Sequence, residues 1–209
     1  MKKTIHILIL VLISNYTFSQ TEKESYWNQF IESDRIEIGL EHYNNITFEK
    51  AYRIWTDIQV VELIKINDST YCGLIVNFAY KSNQDEIKEK RVFQKMKISD
   101  KTVQLLIEKL NSENIEKLRD CDEIEGYAYG EDGNTYIFEI GTLKQRRVYS
   151  YWEPENELYQ NPNIKEVQNV RNILVAIKKE INLSDSYKKF YNQLPKGTYI
   201  SGMIIYTIE

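Results

Sequence analysis

Residues 54–80 read IWTDIQVVELIKINDSTYCGLIVNFAY. From Ile54 the even positions are Ile54, Thr56, Ile58, Val60, Glu62, Ile64 and Ile66, a mostly apolar row. The odd positions are mixed, with Asp57, Gln59 and Lys65 among them. Side chains alternate across a strand, so this period of two predicts one long strand with a single buried face. Asn67-Asp68-Ser69 is turn chemistry, because short polar side chains bond their own backbone there. The even row resumes as Cys72, Leu74, Val76, Phe78 and Tyr80, so the two runs are expected to pair as a hairpin. A polar loop from Ser82 to Lys90 leads to a third strand over Arg91–Ile98, with Val92, Met96 and Ile98 on one side.

Helical periods flank this meander. Ser99 or Asp100 is placed to cap a helix whose stripe is Val103, Leu106, Ile107 and Leu110. Ile115 and Leu118 suggest a further turn or two. Ile164, Val167, Val170, Leu174, Ile177 and Ile181 mark a helix of about 18 residues by their spacing. A shorter one, capped by Ser184 or Asp185, carries Tyr187, Phe190, Tyr191 and Leu194. Upstream, Tyr26, Trp27, Phe30 and Ile31 suit a short amphipathic helix within Thr21–Asp34. Tyr127–Tyr129 and Thr135–Gly141 flank Gly130-Glu131-Asp132-Gly133 as a hairpin. Gln145–Trp152 and Thr198–Ile208 read as the remaining strands. Strands joined by short turns, with helices segregated, favour α+β over a doubly wound fold. The expectation is one α+β domain over residues 20–209: a mainly antiparallel sheet with two main helices packed on it.

The first residues set the compartment. Lys2 and Lys3 precede an apolar run, Ile5–Ile13, broken only by His6. This run is far short of the roughly 20 residues that cross a bilayer as a helix. Thr17-Phe18-Ser19 offers small residues at the third and first positions before a cut, so residues 1–19 are expected to be a signal peptide cleaved before Gln20. The Ser19-Gln20-Thr21 junction resembles that of exported proteins of Gram-negative bacteria, which implies the periplasm or beyond. No cysteine lies near the cut, so neither a lipid tether nor any other membrane anchor is expected after cleavage. Losing Lys2 and Lys3 takes the net charge from −4 to −6. Such an acidic chain is a poor match for nucleic acid.

No motif names a reaction. After cleavage His42 is the single histidine, and no nucleophile elbow accompanies it. One histidine and two distant cysteines do not make a zinc set, so no metal or cofactor is expected. Ser186-x-x-Lys189 has the spacing of penicillin-binding enzymes, without their other two motifs. Asp120, Asp122, Glu123, Glu125, Glu131 and Asp132 crowd one region, but the calcium-loop template fails at Ile124 and Gly126 falls one position late. That region reads as a solvated acidic turn. Cys72 and Cys121 are the only cysteines. An oxidising compartment permits a bridge worth roughly 3–4 kcal/mol, while the apolar row around Cys72 favours a free thiol.

The most suggestive cluster is aromatic. Sixteen tyrosines are many for 209 residues, and Arg147, Tyr149 and Tyr151 would share one strand face, with Trp152 beside them. Flat aromatic surface with arginine stacks on sugars or anchors proteins. The alternative is that these rings cover the core. The reading carried forward is an exported, non-catalytic binding or envelope accessory protein, with a protein or glycan as partner, using Arg147, Tyr149, Tyr151 and Trp152. A small hydrolase working with paired carboxylates, with Glu153 and Glu155 as the forced choice, is the first alternative. A structural subunit without ligand is the second.

Overall fold

The computed structural model describes residues 22–83, 86–130, 132–202 and 204–209. The expected signal peptide and its cleavage point lie outside the described residues. The chain is an α+β domain whose described residues form an open, mainly antiparallel sheet of eight strands and four helices. In chain order these are α1 (Glu22–Glu37), β1 (Lys50–Trp55), β2 (Gln59–Asn67), β3 (Thr70–Asn83), β4 (Glu86–Ile98) and α2 (Asp100–Ser112). There follow β5 (Thr135–Thr142), β6 (Arg146–Trp152), α3 (Lys165–Glu180), α4 (Leu183–Tyr191), β7 (Gly197–Ser201) and β8 (Ile204–Ile208).

The stretch 54–66 is two strands and not one. Thr56 folds the chain back: its backbone N–H donates to the Gln59 carbonyl at 2.9 Å, and its Oγ1 accepts from the Gln59 N–H at 3.0 Å. A side-chain turn of this kind leaves the apolar period unbroken on either side, so the interruption is carried by Thr56-Asp57 alone. The hairpin between β2 and β3 forms as expected, with Asn67 opposite Thr70 and the Asn67 Oδ1 accepting from the Ser69 N–H at 3.0 Å.

The sheet runs β6-β5-β1-β2-β3-β7-β8, and β4 pairs with β3 on its other side. β3 is 14 residues long and serves two neighbours in turn: Thr70–Asn77 pairs with β2, while Tyr80–Ser82 pairs with β7. Both faces of the central strands are covered, not one. On the first, Tyr52, Ile54, Val61, Leu63, Phe138 and Ile140 pack under α2 and α3 through Leu106, Leu110, Val170, Ile173 and Ile177. On the second, Trp55, Val60, Val76, Phe78, Ile137 and Val148 pack under Trp27 and Ile31 of α1 and under Ile38 and Leu40 beyond it. Two covered faces explain why β1 is buried from Ala51 to Trp55 without alternation.

Four other boundaries differ from expectation. In place of a loop from Ser82 to Lys90, β3 runs to Asn83 and β4 begins at Glu86. Tyr127–Tyr129 belongs to no strand; Tyr127 turns inward and donates its hydroxyl to the Trp152 carbonyl at 2.8 Å. Thr198–Ile208 is a hairpin, because Gly202 takes a φ of +57° that glycine adopts at no steric cost. α4 is capped by Asn182, whose Oδ1 accepts from the Asp185 N–H at 2.9 Å, rather than by Ser184 or Asp185. The cap of α2 is Ser99, as its sequence indicates.

Candidate functional site

The expected aromatic face is not a surface. Tyr149 and Tyr151 are fully buried, with Phe138 stacked on Tyr149 at 5.1 Å between centroids. Their hydroxyls donate to the carbonyls of Ile115 and Arg119, each at 2.6 Å. Tyr52 is buried likewise and reaches Asn111 and Glu116 from the same face. These phenols pin the segment after α2 onto the sheet, giving buried hydroxyls partners that an aliphatic core lacks. Burial pushes their pKa values up. Arg147 is half-buried, lies 5.0 Å from the Tyr149 ring and donates to the Glu116 carbonyl at 3.2 Å. Trp152 is half-buried at the strand end, its indole N–H donating to the Asp132 carbonyl at 3.0 Å and its ring 5.0 Å from that of Tyr159. A side chain at Gly130 would come within 2.3 Å of that indole, so the close approach requires glycine.

The cysteines are unbridged. Cys72 is half-buried and Cys121 buried. Burial, with the Asp120 carboxylate beside it, raises the Cys121 thiol to about 11, so it is a weak nucleophile at neutral pH. Cys121 joins Asp120 and Asp122 in a cluster of three ligating atoms. The Lys23 ammonium already sits among them, 2.8 Å from each carboxylate and 3.3 Å from the sulfur. The acidic region is therefore an anchor for α1 at its Asp120–Asp122 end, while Glu131 lies outside the described residues. His42 is a cap: its Nδ1 accepts from the Asn44 N–H at 3.0 Å. Ser186 is buried against Asn77, at 3.0 Å from its amide, which is a packing role.

Two concavities stand out among the described residues. The larger, about 770 Å³, runs between α1 and the β5–β6 hairpin and is lined by Glu24, Glu32, Glu139, His42, Arg146 and Arg147 among others. Its acids are already committed. Glu139 accepts from Arg53 at 3.2 Å and from the Trp55 indole at 3.2 Å; Glu32 pairs with Arg35 at 2.5 Å; Glu24 accepts from the Val148 N–H at 3.2 Å. The Arg35 hydrogen bond holds the Glu32 carboxyl below its ordinary value. Carboxylates so engaged are ion-pair partners and edge caps, poor material for a proton-donating acid. Beneath the groove lies a buried row that the strand period does not reveal. Arg53, wholly buried, stands directly opposite Glu62 and Glu139 on its two neighbouring strands and donates to Glu62 at 2.6 Å.

The smaller cavity, about 570 Å³, has the character of a ligand site. It opens where the β1–β2 turn, the start of β5, the second half of α3, the start of α4 and the β7–β8 turn meet. Ile54, Val61, Leu174, Ile177 and Leu183 give it apolar walls. Leu174 and Ile177 come from one stripe of α3, three residues apart, which is why the sequence places them together.

Most polar groups around it are satisfied. Gln59 donates to Asn77 at 2.7 Å and to the Leu183 carbonyl at 2.9 Å. The Lys178 ammonium is neutralised by Glu155 at 2.6 Å, and Tyr136 donates to the same carboxylate at 2.8 Å. Tyr187 bonds Ser201.

Asp57 is the exception. It stands at the rim beside Gly202, where an added Cβ would lie 3.6 Å from its Oδ2. No described residue donates to its carboxylate. Its outer side faces solvent, yet the walls behind it remove enough water to raise its pKa above the ordinary 3.8. Sequence reading places Asp57 and Gln59 on the wet face of a continuous strand, and the only available signal for the turn is the pair Thr56-Asp57 inside an apolar run.

Comparison with family models, curated proteins and solved structures gives no match to this chain.

Proposed function

We propose that this is an exported, non-catalytic binding protein. Its ligand is a small molecule with an apolar body and a cationic or hydrogen-bond-donating end. The body fills the aliphatic cavity and the polar end meets Asp57. This reading takes the place of the strand face, whose tyrosines are core. The observation that carries it is an undonated carboxylate at the mouth of a cavity walled by Ile54, Val61, Leu174, Ile177 and Leu183. A carboxylate that faces solvent with no donor among the described residues is open to a partner that donates to it, and aliphatic walls favour a body that leaves water.

Linear alkylamines and alkanols of matched length, titrated by NMR into the protein lacking residues 1–19, test the proposal. Amides of Ile54, Val61 and Ile177 are expected to shift with both, and amines to bind about tenfold more tightly. Asp57→Asn should abolish the difference and leave alkanol binding intact. No shift at the cavity with either series would sink the reading. The same variant has a stability signature. The folded-state pKa of Asp57 lies above its unfolded value, so its penalty is complete at neutral pH and fades as pH falls through the folded value toward 3.8. Asp57→Asn is therefore expected to unfold at a higher temperature at pH 7, with the gain shrinking at acid pH.

A further inference from the structure

We infer that the protein pairs with a second copy of itself through β8, antiparallel and about a two-fold axis. β8 is an outer strand: among the described residues its ladder partner is β7, and its other side is open. Open edges attract strands, and proteins usually blunt them with lysine, proline, a bulge or a covering element. Ile204-Ile205-Tyr206-Thr207-Ile208 has none of the first two and carries no charge. Ile204 and Ile205 project to opposite faces of the sheet and are 67% and 70% exposed.

The opposite edge decides which partner fits. On β6 the outward N–H of Val148 is taken by Glu24 at 3.2 Å and that of Ser150 by Asp120 at 2.8 Å. A third outer strand, β4, has β3 as its ladder partner among the described residues and carries Lys88, Lys90, Lys95 and Lys97, the charge that guards an open edge. Copies of this chain are left with three pairings of the other two edges: β6 with β6, β6 with β8, or β8 with β8. The first two require stripping carboxylates from bonded amides. Only the third joins two open edges, and because it is isologous it closes at two copies instead of growing a fibre. The chain lacking residues 1–19, at net charge −6, repels its own copies in general, but a seam of two uncharged strands brings no like charges face to face. Short strands and few side chains make this a weak, concentration-dependent dimer. Ile204 also lines the cavity at Asp57, so the seam lies beside the mouth of the proposed ligand site.

Sedimentation velocity on the protein lacking residues 1–19, from low micromolar to millimolar, reads the outcome. A monomer–dimer equilibrium is expected, with β8 amides gaining hydrogen-exchange protection as concentration rises. Ile205→Lys, at an exposed position, should raise the dissociation constant about tenfold or more while leaving the thermal midpoint in place. A monomer at millimolar concentration, open-ended polymers, or a dimer indifferent to Ile205→Lys would each overturn the inference. Ligand binding at Asp57 is measured separately at low concentration, so either conclusion stands or falls alone.

Discussion

The two ends of the sheet solve one problem in opposite ways. At β6 the outer amides are bonded by Glu24 and Asp120, and Asp120 is itself tied to Lys23 at 2.8 Å, so α1 and the edge are fastened together. Just inside that edge, Arg53 binds carboxylates on both neighbouring strands, with the Tyr43 ring 4.2 Å from its guanidinium. At β8 there are no such caps and no buried ion row among the described residues. The outer hairpin rests on a small cluster of Ala79, Phe190 and Tyr199 and leaves two isoleucines in water. The comparison teaches that capping an edge takes side chains borrowed from distant segments, here 124 and 30 positions away. An edge without such donors of acceptor oxygen is left ready for another strand.

Substitutions can break this contrast from either end. The largest effect is expected at Arg53. Arg53→Met leaves Glu62 and Glu139 buried without their cation, and should cost about 3–5 kcal/mol in urea unfolding. Asp120→Ala comes next. It frees the Ser150 amide and the Ser150 hydroxyl at once and leaves Lys23 with Asp122 alone, at a cost of about 2–3 kcal/mol. It also opens β6, so sedimentation should now show species larger than a dimer. Glu24→Ala, which uncovers the Val148 amide alone, should cost about 0.5–1.5 kcal/mol by the same measurement. If Asp120→Ala left both stability and association unchanged, the caps would not be what distinguishes the two edges.

Tyrosine shows where reading stops. The alternation of Arg147, Tyr149 and Tyr151 identifies a strand face and correctly groups the three, yet a ring that covers a core and one that greets a ligand have the same period. What decides is α2 and the segment after it, which present the carbonyls of Ile115 and Arg119 to the two hydroxyls. Arg53 is hidden for a related reason. A charge within an apolar strand reads as its wet side, and only the register of three strands shows Glu62 and Glu139 standing opposite. Asp57 is hidden differently, because a side-chain turn of three residues does not disturb an apolar row. The Ser201-Gly202 pair was a legible sign of the last turn, since serine followed by glycine marks a reversal.

Local pattern alone determined that this chain alternates strands and amphipathic helices, where α2 is capped, and that its strands pair antiparallel through short turns. These follow from periodicity and from side chains bonding their near neighbours. Tertiary structure alone decided which faces are covered, which edges are closed and where a carboxylate is left without a donor. Such properties depend on segments far apart in the chain meeting in space, and no window of sequence contains both partners.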